Sequence, residues 1–201
     1  MLLALLLLAA EASGKPTANC AFDVAFVLDR SESIGDVNFD KEKQFVKAFL
    51  NQTTAHSATI DLPLLNSTSQ EAVFKALDNL LYEPGLTNTG AALNLVAEEV
   101  FSAAGGDRWR APNLVLLLTD GYPTVGTPDP RIPAALLRHS GASIICLGVE
   151  GVNGRQEPVF YRLLNELAGD TGRVYNVSSW DNIIPQMPSV INSIQCQPSQ
   201  F

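Results

Sequence analysis

Along the chain, short apolar runs alternate with stretches whose apolar residues recur every three or four positions. The runs "AFDVAFVLD" (21–29), "NLVLLLTD" (113–120), "ASIICLGV" (142–149) and "GRVYNVS" (172–178) have the length and bounding residues of strands. The second and third are apolar at consecutive positions, as parallel strands covered on both faces are. Between the strands, "NFDKEKQFVKAFL" (38–50) puts Phe39, Phe45, Val46 and Phe49 on one helical stripe. "SQEAVFKALDNLL" (69–81) does the same with Val73, Phe74, Leu77, Leu80 and Leu81, and Ser69 is placed to cap it. Further helices are expected over 89–103, over 130–140 with Gly141 after its end, and over 157–168 with Pro158 early and Gly169 closing it. A last one covers 181–194, where Pro185 and Pro188 make the first half irregular.

This order implies a doubly wound α/β fold, a mostly parallel sheet with helices on both faces. In such sheets ligands bind beyond the carboxyl ends of the strands, near a topological switch point. Two of the best strands end in an acid there, Asp29 and Asp120. Two acids on one rim are a stronger signal than either alone.

Composition narrows the classes. The 201 residues suit one domain or two, and 46% hydrophobic with 17% charged residues is an ordinary globular balance. A net charge of −8 argues against a nucleic-acid surface, which needs clustered Lys and Arg, and is compatible with cation binding. The start "MLLALLLLAAEASG" holds an apolar run from Leu2 to Ala10 and then small residues at Ala10 and Ala12. It reads as a secretory signal peptide over 1–12, although no Lys or Arg precedes the run. It is too short to span a bilayer as a helix, and no later run reaches ~18 apolar residues. The expectation is a secreted protein without a membrane span.

Cys20 and Cys196 bracket the folded region, and in an oxidising compartment they are expected to join its ends in a disulfide. On the chain-entropy model so long a loop contributes roughly 5 kcal/mol at most. Cys146 lies in a buried strand by composition and reads as a small core residue. Asn51, Asn66 and Asn176 each open an Asn-x-Ser/Thr sequon that could carry a glycan if exposed.

The candidate chemistry starts at "FVLDRSESIG". Asp29, Ser31 and Ser33 alternate, so in extended chain they share a face, and their oxygens suit Mg²⁺, Mn²⁺ or Ca²⁺. "EPGLTNTGAAL" adds Thr87 and Thr89 in a loop leading into a helix, and "LLLTDGYP" adds Asp120 at the next strand end. Separately, the serines and threonines read as helix caps. With Asp120 on a parallel strand end, the cation reading is favoured.

Together "DVAFVLDRSESIG", "GLTNTGAAL" and "NLVLLLTDGYP" resemble, in order, the von Willebrand factor type A domain (vWA) of extracellular-matrix type, collagen- and matrilin-like. The resemblance covers residues 19–196, leaving 197–201 as a short tail. It implies a Rossmann-like fold and a metal-ion-dependent adhesion site. On that pattern Ser31 and Ser33 coordinate a metal through their hydroxyls, Thr87 does so in the ligand-binding state, and Asp29 and Asp120 contact it directly or through water. Hydroxyl ligands are neutral, so a bound Mg²⁺ (or Mn²⁺ or Ca²⁺) keeps charge enough to attract an acidic side chain of a partner. The implied partner is an extracellular-matrix or secreted protein, a collagen-like one included. Glu32, Asn88, Tyr122 and the loop 150–154 are candidates for the rim.

One departure stands out. Family members follow the first helix with a central strand and then its hairpin partner. Here "FLNQTTAHSATIDLPLLNSTSQ" has room for one strand, "ATIDLPLL" (58–65), which resembles the edge strand. The inner strand is therefore expected to be missing.

Three readings follow. The first is a metal-dependent adhesion module; the second is a metal-independent structural module of the matrix, or a truncated or spliced form with an incompetent site. The third, an enzyme, lacks a histidine with an evident role as base, a Gly-x-Ser-x-Gly elbow and a phosphate-binding glycine loop. The expectation is no catalytic activity. "DRWRAP" (107–112) falls at the rim opposite the acids, where its arginines are expected to solvate a turn.

Overall fold

The computed structural model describes residues 4–12, 20–60, 70–124, 128–150 and 158–194. The strands are β1 (Ala4–Ala12), β2 (Cys20–Leu28), β3 (Thr53–Ile60), β4 (Asn113–Thr119), β5 (Ser143–Val149) and β6 (Arg173–Val177), and the four apolar runs expected as strands are β2, β4, β5 and β6. They form one sheet in the order β3-β1-β2-β4-β5-β6. The four strands from β2 to β6 are parallel, with Leu28 opposite Leu118 and Leu118 opposite Leu147. The periodic stretches become α1 (Gly35–Gln52), α2 (Gln70–Asn79), α3 (Thr89–Leu95), α4 (Arg131–His139), α5 (Pro158–Ala168) and α6 (Met187–Ser193). The helix expected over 89–103 is α3 followed by a wide π-helical turn, Val96–Val100. The proline-bearing start of the last helix is two short 3₁₀ turns.

Strand periodicity divides the core in two. Phe22, Val24, Phe26 and Leu28 of β2, with Leu114, Leu116 and Leu118 of β4, pack against α1, α2 and α6. Ala25 and Val27, with Val115, Leu117, Ile144 and Cys146, pack against α3, α4 and α5. Residues two apart share a face, and both faces are covered, which is why these runs are apolar throughout. The Phe49 ring of α1 stands edge-on to Phe26, centroids 5.2 Å apart, and ties the longest helix to the central strand.

The position expected to be empty holds β1. This strand runs antiparallel to both neighbours, from Ala4 opposite Leu28 to Ala12 opposite Cys20, and from Leu6 opposite Ile60 to Ala12 opposite Thr53. The segment that reads as a leader is thus the inner strand of the sheet. The edge strand also begins earlier than expected, at Thr53 directly after α1, and residues 61–65 of the expected strand lie outside the described residues. The facing edges of β2 and β3 carry main-chain donors and acceptors that need partners, and an extended apolar segment supplies them.

From β2 the chain passes to α1 on one face of the sheet, and from β4 to α4 on the other. The carboxyl ends of β2 and β4 therefore flank a switch point, and Asp29 and Asp120 are the first residues beyond them. The opposite rim corrects the expectation for "DRWRAP". Arg108 donates through Nε to Asp23 Oδ1 at 2.8 Å and through its main-chain amide to Oδ2 at 2.7 Å. Asp23 is buried, so this arginine neutralises a core carboxylate.

Candidate metal centre

Leaving the sheet at Leu28, the chain folds its first polar side chain back on itself. Asp29 Oδ1 accepts the Ser31 main-chain N–H at 2.9 Å, and Oδ2 accepts the Thr119 hydroxyl at 2.6 Å. Ser33 donates its hydroxyl to Asp120 Oδ1 at 2.9 Å, and the Ser31 and Ser33 hydroxyl oxygens are 3.0 Å apart. A hydroxyl has one proton to give; with that of Ser33 directed at Asp120, Ser31 is the donor within the serine pair. The loop closes at Gly35, whose φ of 72° lies in the left-handed region open to glycine, and α1 begins. Asp29, Ser31, Ser33 and Asp120 are thus brought into one hydrogen-bonded cluster across two parallel strand ends.

Thr87 comes from the loop 80–88. That loop is tied to the aspartate–serine loop by Tyr82, whose hydroxyl donates to the Ser31 carbonyl at 3.0 Å, and by the Glu32 amide donating to the Gly85 carbonyl at 3.1 Å. Thr87 is buried, and its main chain pairs both ways with Thr124: its amide donates to the Thr124 hydroxyl and its carbonyl accepts the Thr124 amide. Gly90, at the start of α3, lies so close to Pro128 that a Cβ there would be 1.8 Å from the proline carbonyl oxygen.

Burial sets the electrostatics. Desolvation raises the Asp29 carboxyl above its ordinary value, against the lowering effect of the Thr119 and Ser31 hydrogen bonds. Asp120 is pushed up to about 6, chiefly by burial and further by the charge of Asp29, with Ser33 opposing. A third carboxylate lies beneath. Glu42 sits on the buried stripe of α1 among Phe39, Phe45 and Val46, is fully buried, and is raised well above the ordinary range by burial and by both aspartates.

The donor set is carboxylates and hydroxyls, which fits a hard cation such as Mg²⁺, Mn²⁺ or Ca²⁺. Among the described residues no three His, Cys, Asp or Glu side chains converge to ligate a metal. The hydroxyls are therefore needed to complete a coordination sphere.

Other expected positions are distributed differently. Glu32 and Tyr122 are exposed on the rim, whereas the Asn88 side chain accepts the Ala91 amide at 2.9 Å as the cap of α3. Asn176 is exposed on β6, and Asn51 is exposed at the end of α1, where it accepts from Gln70. Asn66, Cys196 and residues 151–154 of the rim loop lie outside the described residues, as does the side chain of Cys20. Cys146 is a free, buried thiol whose pKa burial pushes up to about 12. Sequence reasoning missed Thr119, Tyr82, Thr124 and Glu42. A signal existed for Glu42, a carboxylate at a core position of the α1 stripe; the other three are found through contacts far apart in the chain.

The family model of the von Willebrand factor type A domain matches residues 23–189. The chain belongs to the von Willebrand factor type A domain family. This vWA domain is 28% identical over 179 residues to vitrin of Homo sapiens, covering 81% of the chain and 26% of vitrin. It is 32% identical over 174 residues to the collagen alpha-5(VI) chain of Homo sapiens, covering 80% of the chain and 6% of the collagen. With von Willebrand factor of Rattus norvegicus it shares 30% identity over 120 residues, 53% of the chain and 28% of that protein. The chain thus spans less than a third of each of these relatives. Among solved structures, proximal thread matrix protein 1 from the mussel byssus superposes with a TM-score of 0.69 at 23% identity, over 85% of this chain and 46% of that one. The same protein has been solved with a zinc occupied MIDAS motif. A von Willebrand factor type A structure from Catenulispora acidiphila gives a TM-score of 0.63 at 17% identity, over 94% and 50% of the two chains. These likenesses show the fold.

Proposed function

We propose that this vWA domain is an extracellular, non-enzymatic protein-binding module. It holds a hard divalent cation (Mg²⁺, Mn²⁺ or Ca²⁺) and takes an acidic side chain of a partner there. The observation that carries the reading is the cluster running Asp29–Thr119 and Ser31–Ser33–Asp120 across adjoining parallel strand ends at a switch point. Ser31 and Ser33 present hydroxyls, Thr87 adds a third from the facing loop, and Asp29 and Asp120 supply charge directly or through water. When bound, the cation supplies an electrophilic centre with an exchangeable position for a carboxylate. Glu32 and Tyr122 border that position. The serine hydroxyls bond to one another and to Asp120 instead of an imidazole, which supports a binding role over hydrolysis. Relatedness to a collagen chain and likeness to a byssus matrix protein support an extracellular setting and a matrix or secreted partner.

A second reading has its own support. The cluster supplies its own hydrogen bonds, so the loops have partners without a cation, as a metal-independent structural module of the matrix requires. The experiment is a thermal melt of the chain, metal-free and with Mg²⁺ or Mn²⁺, beside Asp120→Ala. At ~100 times its dissociation constant a cation adds roughly 2.7 kcal/mol, or roughly 5–10 °C for a domain of this size. The expected result is that shift in the wild type and its loss in the variant. Identical wild-type melts would favour the structural module.

A further inference from the structure

Glu42 occupies a position that the packing of α1 reserves for an apolar side chain. Its neighbours along the buried stripe are Phe39, Phe45, Val46 and Phe49, and it is as completely buried as they are. Neither carboxylate oxygen has a hydrogen-bond partner among the described residues. The carboxylate lies beside the Asp29 main-chain amide without completing a bond to it, and it feels the charges of both Asp29 and Asp120. A buried carboxylate with no completed hydrogen bond among the described residues and two like charges nearby is costly to a core, and leucine or methionine would fill the stripe without that penalty. The arrangement makes sense if a positive charge belongs in the same pocket.

We propose that Glu42 is the third carboxylate of the cation site, acting from outside the coordination sphere to raise cation affinity at the expense of metal-free stability. The inference rests on the cation reading of Asp29, Ser31, Ser33, Thr87 and Asp120. Glu42 is a positioning residue and not a ligand, since it does not converge with the two aspartates at ligating distance. Its negative charge acts across a low-dielectric interior, where a divalent ion feels it far more strongly than in water. Without a cation, burying the three acids close together disfavours their charged forms; a cation in the same pocket would favour them.

The test uses Glu42→Gln, which keeps the shape, and Glu42→Met, which restores the apolar stripe. Mg²⁺ and Mn²⁺ affinities are measured by calorimetry at one fixed pH, beside metal-free melts. Both variants are expected to melt higher than the wild type without metal and to bind either cation roughly tenfold more weakly or worse. A purely structural glutamate would change the melt and leave affinity untouched, and that result overturns the inference while the cation site stands. Loss of cooperative folding in both variants overturns it as well. A wild-type chain that binds neither ion defeats the underlying site reading instead.

Discussion

The Thr119 hydroxyl donates to Asp29 Oδ2 at 2.6 Å, joining residues 90 apart in the chain at the ends of neighbouring parallel strands. Beside the β2–β4 ladder and the Ser33–Asp120 bond, it is a side-chain link between the start of the aspartate–serine loop and the strand that leads to Asp120. Replacing Thr119 by valine keeps the shape and removes the donor. The metal-free domain is expected to lose roughly 1–3 kcal/mol, because a buried carboxylate oxygen loses its partner. Thr119→Ser should retain most of that stability. Paired melts of the two variants check this, and equal stabilities would show that Asp29 is held by Ser31 alone.

The acidity of the cluster has a sign that can be tested. Asp29 and Asp120 lie above their ordinary values, Asp120 at about 6 instead of 3.8. The folded chain therefore binds these protons more tightly than the unfolded one. Metal-free stability is greatest below pH 4 as far as these groups are concerned, and falls as pH rises from about 4 to about 6. For Asp120 the full loss is roughly 3 kcal/mol at most. A cation binds the ionised form, so the gain in melting temperature from Mg²⁺ or Mn²⁺ should grow between pH 5 and pH 7. A gain that stays constant over that range would dissociate the aspartates from cation binding.

At the other rim, Arg108→Ala strips the guanidinium from a carboxylate that is 1% exposed. The Arg108 main-chain amide still reaches Asp23, so the expected loss is roughly 2–3 kcal/mol, below the range for complete removal of a buried partner. Cation affinity should be unchanged, because Asp23 lies in the first half of β2, toward the rim opposite Asp29. Denaturant melts and calorimetry on the one variant separate the two effects.

A chain starting at Ser13 lacks β1, the strand that pairs with β2 on one side and β3 on the other. Its main-chain groups would be left open along both edges in the middle of the sheet. Compared with residues 1–201, the shortened chain is expected to melt far lower or without cooperativity. An unchanged melt would mean that the inner strand is dispensable, leaving the first twelve residues free to serve as a cleaved leader. The two uses of this segment exclude each other within one molecule.

Most of the fold was legible because parallel strands buried on both faces have to be apolar throughout. The runs ending at Asp29 and Asp120, the stripe of α1, the Val73 and Leu77 part of the α2 stripe, and the glycines closing α4 and α5 carry local chemical reasons for their structure. Leu81, expected on the α2 stripe, lies beyond the helix and is exposed. The inner strand was not legible. "ALLLLAAEA" is equally a leader and a strand in pattern, and pairing along both edges is a non-local event that periodicity does not encode. Arg108 failed for a related cause: an arginine in a turn is ordinarily solvated, and nothing local shows that Asp23 is buried beneath it.

The sequence by itself determined the class of fold, the family, and the alternation of Asp29, Ser31 and Ser33 beyond a strand end, because backbone periodicity and side-chain chemistry act between near neighbours. Tertiary structure alone decided that Thr119 would hold Asp29, that Ser33 would reach Asp120, and that Glu42 would lie below both with no hydrogen-bond partner among the described residues. Those relations depend on which strands adjoin and how deeply the helix between them is pressed against the sheet. Burial then turns three ordinary acids into a group with a shared electrostatic fate, since each charge is felt by the others only where water is absent.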